Sequence, residues 1–170
     1  ALKTAEMAGL ESPAIEESFE RVNGFLDQLQ ITSEQPDAID PGYDYQFNPL
    51  NPVKKFQPAI SAEAILGRLF LGATPDDSHV SAVVERLLNE SRIAFPESSR
   101  KRGRAVEFAA IDPRSMNHAV KNIYAWYYIT QVCHHVGGQA WREWNADMCV
   151  LLPVNQEIGG FERGSWSPAH

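Results

Sequence analysis

Apolar positions recur at helical spacing in five stretches of the chain. Ile15, Phe19, Val22, Leu26 and Leu29 form a stripe at 4-3-4-3 spacing, with Arg21, Asn23 and Gln28 off it. This is the pattern of a helix with one face against a core. Ser12-Pro13 is a strong start signal, because serine caps the free N–H groups and proline suits the first helical position. Glu16 and Glu17 favour the positive end of its dipole, and the helix is expected to end near Gln30. Ala62, Ile65, Leu66, Leu69 and Phe70 mark a second stripe, with Ser61 as its expected cap and Gly72 as its stop. Val80, Val83, Val84, Leu87 and Leu88 mark a third, opened by Thr74-Pro75-Asp76-Asp77 with an aspartate in capping-box position. The spacing predicts two further helices, over about residues 119–136 and 139–152. Residues 1–9 read as the tail of another, carrying Leu2, Ala5 and Ala8 and ended by Gly9.

The last two helices flank a Gly137-Gly138 turn and organise the chain. The first carries Ile123, Tyr124, Trp126, Tyr127, Tyr128, Ile129 and Val132, which cover more than one face and predict burial on all sides. The second is amphipathic. Trp141, Trp144, Met148, Leu151 and Leu152 share a side, and Arg142, Glu143, Asn145 and Asp147 are expected to face away. A glycine of the turn supplies the left-handed residue that ends the first helix. Pro153 is expected to end or kink the second, and Gly164-Ser165-Trp166 to close the unit as a plug.

Two long loops interrupt the helices, over 31–58 and 91–117. The first holds five prolines and the alternating Tyr43-Asp44-Tyr45-Gln46-Phe47, a candidate short strand. The second holds Arg100-Lys101-Arg102-Gly103-Arg104, read as a solvated basic loop. Loops of this length in a helical domain are often functional.

A repeat runs through the whole. The turn glycines Gly9, Gly72 and Gly137 lie 63 and 65 residues apart, and the pairs Phe25-Leu26, Leu87-Leu88 and Leu151-Leu152 recur 62 and 64 apart. Gln30 and Gln156 each follow their pair by four. Fixed-period self-similarity predicts a stacked array in which each helical hairpin buries its neighbour's face. The expected fold is therefore all-α: three inner/outer helix pairs with a period of about 63 residues, within one domain over 1–170.

Composition narrows the functional classes. A 44% hydrophobic content over 170 residues suffices for one core and not for two. The net charge of −7 disfavours a nucleic-acid partner, since phosphate binding needs a basic field. No run of about 18 apolar residues predicts a membrane span. Cys133 and Cys149 sit on opposite arms of the last hairpin, offset along its axis by roughly 9 Å. A disulfide needs Cα atoms within about 7 Å, so two free, buried thiols are expected.

The residues Tyr124, Trp126, Tyr127, Tyr128, Thr130, Gln131, Gly137-Gly138, Trp141, Trp144-Asn145 and Gly164-Ser165-Trp166 together resemble the prenyltransferase and squalene-cyclase-like repeat family. Ala1-Leu2-Lys3, Met7-Ala8-Gly9-Leu10 and Phe25-Leu26-Asp27 resemble its branch common in large planctomycete-type bacterial proteins. The resemblance implies an α/α toroid, with inner helices around a central cavity and outer helices wrapping them. The family's glutamine–tryptophan motif would map to Gln156, Gly164 and Trp166, with a longer gap than usual. A closed toroid needs about twice as many pairs. The chain is thus expected to be open, part of a longer protein, or paired with a copy as a homodimer.

The acid motif Asp-x-Asp-Asp that starts cyclisation in this family is absent. Asp76 and Asp77 read instead as helix-capping charges, and no cofactor is expected. Asp147 and Cys149 stand two apart, about 200° around a helix, so both cannot face one metal. With His134 and His135 they are at most weak metal candidates. Asn89-Glu90-Ser91 is a glycosylation sequon by pattern only. The expected function is a non-catalytic helical-repeat scaffold or binding domain that meets a protein or carbohydrate partner through loops 31–58 and 91–117. The alternative is a terpenoid-cyclase-like enzyme or apolar-ligand binder, with a pocket lined by Tyr124, Trp126, Tyr127, Tyr128 and Gln131.

Overall fold

The computed structural model describes residues 2–10, 12–31, 41–45, 55–91, 123–154, 156–161 and 163–165. Among the described residues the regular elements are helices, with one isolated antiparallel bridge between Gln30 and Tyr43. The helices are α1 (Leu2–Met7), α2 (Pro13–Leu29), α3 (Pro58–Phe70), α4 (Ser78–Ser91), α5 (Ile123–Val136) and α6 (Gly138–Val154). Most of both long loops, the run Arg100 to Arg104, Gln46, Phe47 and Trp166 lie outside the described residues.

Local signals set most of the helix ends. The Ser12 hydroxyl accepts from the Ile15 N–H at 3.3 Å, with Pro13 opening α2. The Thr74 N–H donates to Asp77 Oδ2 at 2.7 Å, closing the return half of a capping box. α4 then begins at Ser78. Gly9, Gly72 and Gly137, which follow α1, α3 and α5, all have positive φ, at 75°, 103° and 72°. This is the left-handed conformation that ends helices and favours glycine. Gly138 shares it. α6 runs on through Pro153 to Val154, so the proline sits in its last turn and the helix stops just after it.

Ser61 does not cap α3. That helix starts earlier, at Pro58, behind Gln57. Proline at the first position costs no hydrogen bond there, so it defines the start, and Ser61 falls inside, fully buried.

α3 packs along α5, α4 lies on α3, α6 lies on α5, and α4 reaches α6. Two hairpins thus stand side by side, with α3 and α5 adjacent on one side and α4 and α6 on the other. α3 and α5 run in the same direction. Glu63 of α3 meets Tyr124 near the start of α5, and Phe70 at the end of α3 meets His135 near the end of α5 with ring centroids 5.3 Å apart. The shared core is Ala62, Ile65, Val83, Leu87, Ile129, Val132 and Trp144, with neighbours from each helix.

The first hairpin differs from the other two. α1 has 6 residues against 13 in α3 and 14 in α5. It lies against α2, and its described side chains, Thr4, Glu6 and Met7, are exposed. α2 docks through its C-terminal half, where Leu26 and Leu29 are buried and Leu26 lies beside Gly67 of α3.

Segment 41–45 crosses this docking site. Ile31 N–H donates to the Gly42 carbonyl and Asp44 N–H to the Leu29 carbonyl, at 2.9 and 3.1 Å. Within the expected strand 43–47, the described residues 43–45 form this one bridge and no more. Asp44 ties the segment to 55–57 by accepting from the Lys55 N–H at 2.8 Å. Arg86 of α4 lies 4.0 Å over the Phe56 ring and donates to the Pro41 carbonyl at 3.1 Å. Gly42 sits beneath that ring. A Cβ there would come within 2.3 Å of Phe56 Cδ2, so the close approach requires glycine.

Candidate binding face

The five residues expected to line one pocket separate onto two sides of α5. Ala125, Trp126, Ile129, Val132 and Cys133 form the buried side. Tyr124 and Tyr127 are 55% and 58% exposed on the other, with Tyr128 and Gln131 half-buried at the boundary. The expectation of a helix buried all round is therefore corrected. Tyrosine carries an apolar ring and a polar tip, and that combination favours a half-wet seam over a dry core. Counted as apolar, these tyrosines made the helix read as fully buried.

The three tyrosines form one cluster. The Tyr128 ring meets Tyr124 at 5.0 Å and Tyr127 at 5.1 Å between centroids, with interplanar angles of 71° and 85°. Both contacts are edge-to-face, the arrangement favoured by the ring quadrupole. The Tyr124 hydroxyl is held by the Glu63 carboxylate and the Tyr128 hydroxyl. Chiefly through Glu63, these partners push its ionisation well above the usual phenol range. Glu63 Oε1 is cut off from solvent and has no hydrogen-bond partner. Sequence reasoning missed Glu63, because a glutamate within a helix carries no local sign of what lies across the seam.

The weak metal candidates are not brought together. His134 meets Trp141 edge-on at 5.1 Å, and His135 meets Phe70. Asp147 is buried, which corrects the outward assignment: it follows Trp144 by three and shares that residue's face. Cys149 is exposed, which corrects the expectation of two buried thiols, although both cysteines are free. Burial pushes the Cys133 thiol up to about 12, so it stays protonated and inert. No group of three or more potential metal ligands occurs among the described residues. No described helix is long and apolar enough to cross a membrane.

A second polar cluster had no sequence signal. Tyr43 is 0% exposed, at the junction of α2, α3 and α4. Its N–H donates to Ser61 Oγ at 2.9 Å, and that hydroxyl lies 3.3 Å from the Tyr43 carbonyl. Its phenol oxygen accepts from Arg68 Nε at 3.3 Å and meets His79 Nε2 at 3.0 Å. Arg68 also donates to Asn23 Oδ1 at 2.8 Å and pairs with Asp27, while His79 Nδ1 meets the Gln30 amide at 3.3 Å. Burial raises the Tyr43 phenol against the opposing pull of Arg68. Burial works against the charge on Arg68, but Tyr43 and Asp27 outweigh it and hold that charge in place. With its main group enclosed and its polar atoms engaged, this cluster is a joint between elements.

Burial, and then the Arg68 charge, lower the His79 pKa below 6.5. A lowered folded value means that the unfolded chain binds the proton first. The stabilisation is thus fully present above the unfolded value and is lost as pH falls through the folded one. Urea midpoints should drop below about pH 6.5, with a slope from this group of at most about 1.4 kcal/mol per pH unit. His79→Gln should flatten the slope; an unchanged slope in that variant would remove His79 as its source.

Compared with known proteins, the chain matches no family model, no curated protein and no solved structure. Among the described residues, fold and site define an all-α protein with an exposed tyrosine cluster on α5 beside the parallel α3.

Proposed function

We propose that this chain is a non-catalytic helical-repeat binding domain whose α3/α5 face receives a ligand or partner. The observation that carries the reading is the cluster of exposed Tyr124 and Tyr127 with half-buried Tyr128, backed by a carboxylate with one enclosed, unpartnered oxygen. Exposed aromatic rings recur in recognition surfaces because they offer large contact area at low entropic cost. An α/α-toroid arrangement of the prenyltransferase and squalene-cyclase-like type gives this face a natural place, as the lining of the central cavity. Left-handed glycines after α1, α3 and α5 and the shared direction of α3 and α5 support that arrangement. Loops 31–58 and 91–117 would supply further contacts to a protein or carbohydrate partner. An apolar-ligand or cyclase-like role is the second reading, favoured by the same aromatic rings.

Amide chemical-shift mapping tests both readings, using a panel of oligosaccharides, peptides, small organic cations and polyprenyl diphosphates. Saturable shifts concentrated on α3 and α5, with every panel member recovered unchanged, are expected. Binding that maps elsewhere, or no binding, would remove the first reading. Conversion of a polyprenyl substrate would install the second.

A further inference from the structure

We propose that Glu63, Tyr124, Tyr127 and Tyr128 form a site for an organic ammonium group. The inference rests on the reading of the α3/α5 face as a binding face and names the ligand chemistry it takes. Glu63 Oε1 is the starting point. It is enclosed and lacks a hydrogen-bond partner, and such an oxygen remains costly until something compensates its charge. Its carboxylate holds the Tyr124 hydroxyl, a neutral group. None of the ion pairs formed among the described residues uses it. Among the described residues the site therefore offers negative charge without a paired cation.

The rings supply the rest. Tyr124 and Tyr127 each meet Tyr128 in an edge-to-face contact and are more than half exposed, so ring surface is open to solvent around the phenol that the carboxylate holds. Aromatic faces attract cations within about 6 Å of the ring centroid, and alkylated ammonium groups suit them best because they are weakly hydrated. The ammonium need not touch the enclosed oxygen. In a partly dry setting its charge acts across several ångströms. The chain's net charge of −7 adds a long-range field of the same sense. A sugar could stack on the same rings, but it needs donors and acceptors spread around its hydroxyls. The chemistry here is concentrated in one anion and the phenol it holds.

Choline and its uncharged shape analogue 3,3-dimethylbutan-1-ol separate charge from shape. Titrated into the intact chain and followed by tyrosine ring resonances, choline should saturate, with the alcohol at least tenfold weaker. Glu63→Gln and Tyr127→Ala should each weaken choline about tenfold, whereas Tyr127→Phe, which keeps the ring, should bind as the parent does. Unchanged circular dichroism in each variant ties the loss to the site. Equal binding of the alcohol, undiminished binding by Glu63→Gln, or no saturation with choline would each overturn the proposal. If choline fails while other panel members still map to α3 and α5, the ammonium chemistry falls and the binding face stands. If nothing maps there, both fall.

Discussion

Tyr43→Ala should lower the free energy of unfolding by about 3–5 kcal/mol, the range for removing a large buried aromatic side chain. Two effects act together. The ring leaves a cavity at a fully enclosed position where α2, α3 and α4 meet. The lost hydroxyl also strips Arg68 and His79 of a shared partner. Tyr43→Phe isolates the second effect and should cost about 1–3 kcal/mol, because it leaves buried polar groups unsatisfied. Urea unfolding of the parent and both variants gives the two values. A loss under 1 kcal/mol for Tyr43→Ala would show that segment 41–45 does not hold these helices together. Domains of this size have total stabilities of about 5–15 kcal/mol, so the alanine variant should be marginal at ambient temperature.

Trp144→Ala should have a comparable effect, again about 3–5 kcal/mol. The indole is fully buried between the two hairpins. Its Nε1–H donates to Thr130 Oγ1 at 2.8 Å, and that hydroxyl donates to the Trp126 carbonyl at 2.6 Å. The relay joins α6 to α5 one turn above the exposed tyrosines. Trp144→Ala should therefore also disturb the binding face, visible as changed resonances of Tyr127 and Tyr128. Full stability retained in Trp144→Ala would mean that α6 is not part of the cooperative unit.

The α2 start could be read from Ser12-Pro13 because capping is local: the group that needs a partner and the group that supplies it are three residues apart. The bends at Gly9, Gly72 and Gly137 were readable for the same reason, since backbone strain is decided within one residue. The buried faces of α3 and α4 followed from their period, as the enclosure of Ile65, Val83 and Leu87 shows. Misreadings fall where a residue's surroundings come from far along the chain. Ser61 carries the local signal of a cap and is an interior partner of Tyr43, 18 positions away. Asp147 was placed outside on its charge, yet it follows the face of Trp144 inward. Cys149 was placed inside and lies in the open.

The sequence alone determined that the chain is helical, where its helices turn, and which stripes of α3 and α4 face a core; of the α2 stripe only Leu26 and Leu29 are buried, and Val22 is exposed. Those properties depend on hydrogen bonds and side-chain periodicity within a turn or two of helix. Only the tertiary structure decided that α3 and α5 lie parallel, that Tyr43 locks three helices, and that Glu63 stands behind a row of tyrosines. Each of those depends on which distant side chain arrives opposite, and an aromatic residue reads the same in sequence whether its partner is a packed core or open water.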